Sequence, residues 1–137
     1  MPESGVRPGD LLPGVSFPLT LQRMVMIASA NRDFAPIHID RQYARESGAD
    51  DAYTNMMFIM AMMERTTQEW RSAARLRALR GLRMVAFNRV GDVVTCRGRV
   101  TAADDLASVE IEMWLETAVN RQTATATAVV DLRPSEQ

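Results

Sequence analysis

The sequence has 137 residues, 47% hydrophobic and 24% charged, which suits one folded domain with a core and leaves no room for two ordinary ones. Its 16 basic residues, all arginine, are matched by 17 acids for a net charge of −1, which gives no electrostatic reason to expect nucleic acid, and the lack of lysine excludes a side-chain Schiff base. One cysteine, Cys96, and one histidine, His38, exclude a disulfide framework and a His/Cys zinc site, and no glycine-rich phosphate cradle occurs. A protein of the reducing cytoplasm is expected, because the first residues lack a basic region followed by an apolar run and no stretch is long enough to span a membrane.

Residues 1–14 carry Pro2, Pro8 and Pro13 with Gly5, Gly9 and Gly14, a density that predicts an extended lead-in to a single domain over residues 15–133. Ser16 to Leu21 suits a short edge strand, where Pro18 is tolerated, and Gln22 to Asn31 places Met24, Ile27 and Ala28 on one helical face. Pro36 lacks an amide hydrogen and disfavours helix at Ala35, so residues 32–37 are expected as an exposed turn. Asp40 can cap a brief helix that runs through Ala44 and stops near Gly48, with Asp50 and Asp51 as loop residues. Asn55 can cap a second helix whose first residues, Met56 to Met63, are apolar on every face. Such a helix has to be enclosed by the rest of the fold, so it is placed at the centre, with Glu64 to Trp70 as a polar turn after it.

From Leu82 onward the apolar period falls to two, the mark of strands. Val94, Cys96, Gly98 and Val100 form one inward set, Val109, Ile111, Met113 and Leu115 a second, and Ala124, Ala126 and Ala128 a third. Cys96 is then inert packing, and Trp114 is the one apolar residue on the outward face of its strand. Gly91-Asp92, Ala103-Asp104-Asp105 and Asn120-Arg121-Gln122 are the turns between strands. An antiparallel sheet of three or four long strands, preceded by one strand and a buried helix, is an α+β layer architecture.

The spacing Asp33-Phe34-Ala35-Pro36-Ile37-His38-Ile39-Asp40, with Asn55 at the helix start and Val90-Gly91-Asp92 at a strand turn, resembles MaoC-like enoyl-CoA hydratases of the hot-dog fold. Arg32, Asp33 and Phe34, with Thr54-Asn55 and Trp70, are most similar to the small catalytic subunit of bacterial steroid side-chain hydratases. The chain departs from the common family pattern, which has Gly at the place of Arg32, Asn at that of Ala35, and His-Gly where Asn55-Met56 stands. The resemblance implies a sheet wrapped around one central helix and the addition of water to a 2-enoyl-CoA, with a bulky steroid-derived acyl group favoured. It also implies work alongside a second MaoC-like chain, a homodimer being the other arrangement. Coenzyme A enters as part of the substrate, with no separate cofactor and no metal.

Hydration of such a thioester needs a water beside the β-carbon, a group that takes its proton, and a group that supplies one at the α-carbon. Asp33 and His38, separated by a rigid turn, can both contact one water, and the resemblance implies that they hold it and share the two roles. The alternative for the same residues is a turn-capping aspartate beside a structural histidine. The thioester oxygen gains charge, and the backbone N–H of Met56 at a helix N-terminus, capped by Asn55, is the candidate donor. Met side chains suit either an adaptable acyl pocket or core packing. Among the arginines between residues 71 and 83, Arg75, Arg80 and Arg83 are candidates for the phosphates of coenzyme A, unless the run is simply a solvated face. An acyl-CoA thioesterase of the same fold, a non-catalytic hot-dog subunit and a cone-shaped α+β fold using an Asp/His pair are the competing readings.

Overall fold

Four long strands and one short one make up the sheet in the computed structural model of the chain, which describes residues 5–104 and 107–133. The strands are β1 (Val15–Pro18), β2 (Arg75–Met84), β3 (Val93–Ala103), β4 (Ser108–Glu116) and β5 (Ala124–Asp131). They form one antiparallel sheet in the order β1-β3-β4-β5-β2. Three helices, α1 (Leu21–Asn31), α2 (Arg41–Glu46) and α3 (Met56–Trp70), complete the α+β hot-dog arrangement. The inward sets fall into register: Leu115 of β4 lies between Cys96 and Ala124, Met113 between Gly98 and Ala126, and Ile111 between Val100 and Ala128. Small residues flanking large ones leave a concave face, and α3 packs there against β2 and β3 through buried Ile59, Met62 and Met63.

Gly98 marks the closest approach on this face. A methyl group there would come within 3.0 Å of Ile111 and 3.1 Å of Leu12, so a larger residue would make these side chains shift where the chain before β1 lies on β3. That chain is held by backbone bonds from Gly9 to Val100 and from Leu12 to Gly98, and its Val6 and Leu12 side chains join the core. The lead-in is irregular, as its prolines dictate, but it is part of the packed structure.

Two expectations are corrected. Strand structure begins at Arg75 rather than Leu82, and it was masked because register shifts near Leu76/Ala78 and Arg80/Arg83, with Gly81 at φ 62°, break the period of two. Residues 64–70 continue α3 instead of turning, and that helix is not enclosed on every side: Met56, Met57 and Met60 are each about 40% exposed. An apolar face does not reveal whether its cover comes from the same chain. Trp114 is half-buried on the outer side of β4, and the predicted turn Ala103-Asp104-Asp105 lies partly outside the described residues, at Asp105.

Candidate active site

The loop between α1 and α3 carries the sequence-predicted pair. Arg32 ends α1 in the left-handed conformation, φ 55°, with its N–H bonded to Ser29 O, while the Asp33 N–H reaches back 2.9 Å to Ala28 O. This is a helix-terminating turn that glycine favours, which explains why the family pattern has glycine at this place. The turn throws the Asp33 side chain inward, and a 3₁₀ turn over Pro36–His38 brings His38 back to face it.

His38 Nδ1 lies 2.8 Å from Tyr53 O. A carbonyl oxygen only accepts, so Nδ1 carries the hydrogen and the Nε2 of the neutral ring presents a lone pair. Nε2 is 3.6 Å from Asp33 Oδ2, too far for a direct hydrogen bond and suited to a small molecule bonded to both. Asp33 is fixed from the other side, where Asn55 Nδ2 donates to Oδ2 at 3.0 Å. The Asn55 amide orientation is not arbitrary, because its Oδ1 accepts the Phe58 N–H at 2.9 Å as the cap of α3. One asparagine therefore holds both the helix start and the carboxylate. The side chains of His38 and Asp33 keep 12% and 25% exposure, enough for a ligand to reach them.

With Phe58 N taken by Asn55, the Met56 N–H belongs to the open first turn of α3, the positive end of its dipole. Asp33, His38, Asn55 and Met56 are thus gathered around one helix terminus. Ile27 and Phe58 wall the small cavity at His38 and also a neighbouring apolar groove of about 300 Å³ between α1 and α3, to which Phe17, Met26 and Met62 contribute.

The arginines are not brought to the pair. Arg75 lies 3.7 Å from Asp131, Arg80 lies 3.3 Å from Glu110 across the sheet, and Arg83 is exposed on β2 opposite Thr125. Bonds from Arg133 and Arg77 hold the Asp131 carboxyl well below the usual carboxylate range. Arg41 does the same for Asp51, whose pKa falls to about 2 and which also receives the Ala52 N–H. Burial against the sheet pushes the Cys96 thiol up to about 11, so it is not a nucleophile.

Sequence reasoning missed Tyr53. It orients His38 through its backbone oxygen, which any residue would supply, and it packs edge-on to the imidazole at 5.4 Å while stacking on Phe87 at 3.9 Å. Only the aromatic ring left a signal in the sequence.

Residues 7–122 match the MaoC-like domain family. The chain is 32% identical over 117 residues, 82% of its length and 85% of the relative's, to the 3-oxo-4,17-pregnadiene-20-carboxyl-CoA hydratase beta subunit of Mycobacterium tuberculosis. Among solved structures it is similar to the ChsH1–ChsH2 complex of M. tuberculosis, with a TM-score of 0.87 and 26% identity over 93% of this chain and 99% of the other. It also shares the fold of the (R)-hydratase from A. caviae involved in PHA biosynthesis, with a TM-score of 0.86 at 20% identity over 94% and 98% of the two chains. A match over this much of the chain, with a described fold to go with it, makes the protein a member of the MaoC-like domain family.

Proposed function

We propose that the protein is the Asp/His-bearing subunit of an enoyl-CoA hydratase, adding water across the double bond of a 2-enoyl-CoA whose acyl group is bulky and apolar. The observation that carries the reading is the 3.6 Å gap between two acceptors, His38 Nε2 and Asp33 Oδ2. A water seated beside the pair, about 2.8 Å from each atom, donates one hydrogen to each and turns an oxygen lone pair outward. That oxygen bonds to the β-carbon, the π electrons of the double bond move toward the α-carbon, and charge builds on the thioester oxygen facing the Met56 N–H. One member of the pair takes a proton from the attacking water, and a proton passes from the pair to the α-carbon, so water is added and both groups return to their starting state. No group beyond the substrate's own thioester is needed.

The apolar groove beyond Ile27 and Phe58 supports a large acyl group, and the relative named for a pregnadiene-carboxyl-CoA supports a steroid. The exposed Met56, Met57 and Met60 support a second MaoC-like chain as partner, as do the relative's name as a beta subunit and the ChsH1–ChsH2 and HadBC complexes among the similar folds. The chemical step draws on none of the β2 arginines, and Arg75, Arg80 and Arg83 stay candidates for the phosphates of coenzyme A. Loss of enoyl-thioester absorbance, followed for the protein alone and with a co-expressed MaoC-like chain on short and steroid acyl-CoAs, tests the reading. Consumption of a steroid enoyl-CoA supports it, and no hydration of any enoyl-CoA under either condition overturns it.

A further inference from the structure

The segment that positions the pair is itself held by an unusual piece of buried chemistry. Tyr53 supplies the carbonyl that orients His38, and Asn55 supplies the amide that orients Asp33. Thr54 stands between them. Residues 52–54 run antiparallel to residues 88–90, with the Thr54 N–H on Asn88 O and the Val90 N–H on Ala52 O, both at 2.9 Å, and with Tyr53 opposite Arg89. Period-two alternation then puts Thr54 and Asn88 side by side on the inner face, opposite the side that carries Tyr53, Phe87 and Arg89. Both are buried, at 1% and 0% exposure. Yet Thr54 Oγ1 and both Asn88 side-chain atoms, Oδ1 and Nδ2, have no hydrogen-bond partner.

Three unpartnered polar atoms on neighbouring buried side chains would be costly if left so, since each has given up its water without a replacement. The residues are closed to solvent, so the occupant that satisfies them must be small, able to donate and accept, and internal. We propose that Thr54 and Asn88 hold an internal water molecule and are positioning residues for the Asp33/His38 pair. The water ties the 52–54 segment to the 88–90 segment directly behind Tyr53 O and Asn55, so that the carbonyl facing Nδ1 and the amide facing Oδ2 keep one geometry. The link to turnover rests on the hydratase reading; the link to the imidazole does not.

His38 is the only histidine in the chain, so its ring nitrogens give an NMR spectrum free of overlap. In the full-length protein with ¹⁵N-labelled imidazole, the neutral wild-type ring should be the Nδ1–H tautomer, and the Asn88 side-chain amide protons should show magnetisation transfer from a bound water. Thr54→Val and Asn88→Leu should each lower the share of that tautomer, while Thr54→Ser keeps it. In the hydration assay the first two should lose turnover on the order of tenfold with KM nearly unchanged, the mark of displaced chemistry rather than lost binding. The double variant should be little worse than either single one, since both hold the same water. Folded Thr54→Val protein with a wild-type imidazole spectrum, or Asn88 amide protons without contact to water, overturns the proposal. Should Asn88→Leu fail to fold, Thr54→Val against Thr54→Ser decides it alone. Wild-type protein without hydratase activity but with these spectral changes would refute the proposed function and leave the positioning role standing.

Discussion

His38 takes its tautomer from a backbone oxygen and Asp33 takes its orientation from a helix cap, so the proposed chemistry and the local fold use the same few atoms. Replacing Asp33 by Asn or His38 by Ala should lower turnover by a factor on the order of a hundred or more while thermal unfolding stays close to wild type, since each removes a proton-transfer group without opening the core. Near-wild-type turnover in either folded variant would rule the pair out. Asn55 allows a finer separation. Serine is a good N-cap and keeps the acceptor for the Phe58 N–H, but it cannot reach Asp33 as the amide does. Asn55→Ser should therefore keep the helix cap, lose the hydrogen bond to Asp33 and depress turnover far more than it lowers stability, which the hydration assay and denaturant unfolding read separately. The pair and the cap were legible because they are rare residue types beside a proline and an apolar run. Tyr53 O was not, because a main-chain oxygen has no letter in the sequence.

At the scale of elements, legibility followed regularity. The alternation of β3 as far as its register shift at Val100/Ala102, that of β4 and β5, and the caps at Asp40 and Asn55 were readable because each is a local pattern. β2 was not, because its register shifts interrupt the period that reveals a strand. The loop from α2 to α3 is likewise set by side chains rather than by a pattern. Arg41 grips Asp51 through two bonds of 3.0 and 2.8 Å, and Arg45 adds a third contact. The Asp51 pKa falls from 3.8 to about 2 in the folded protein, so the unfolded chain binds the proton more readily. The stability this contributes is complete above the unfolded value and disappears as the pH drops through about 2. Acid unfolding followed by circular dichroism should accordingly be less steep between pH 4 and pH 2, on the order of the two pKa values, in Asp51→Asn than in wild type. An unchanged acid limb would show that the arginine grip does not stabilise the fold.

For the whole molecule, the exposed faces matter more than the core. Met56, Met57 and Met60 on α3, Val25 and Met26 on α1 and Phe34 in the loop are exposed apolar residues, and β2 is an open sheet edge. The protein should sediment as an oligomer. It should gain activity severalfold or more when co-purified with a second MaoC-like chain, and Met60→Glu should weaken that association. A fully active monomer would contradict this, and a homodimer active on short enoyl-CoAs with no gain from any partner would point to a self-sufficient enzyme.

The strand order has a temporal consequence. β3, β4 and β5 are consecutive neighbours joined by short turns, whereas β1 and β2 must each find a partner far along the chain, β3 and β5 respectively. Closing the short loops costs less entropy, so the three-strand meander should form early and the outer strands should dock on it afterwards. The Asp33/His38 loop is tied to the sheet through α1 after β1, through residues 52–54 on the chain from β2 to β3, and through Asn55 at the start of α3. Substitutions in the meander core, such as Ile111→Val, should slow refolding. Substitutions near the pair, such as Ile27→Val, should mainly speed unfolding, so that the pair is the last part of the protein to assemble and the first to come apart. Stopped-flow chevrons of the two variants would show it, and a refolding rate lowered more by the Ile27 change than by the Ile111 change would reverse the order.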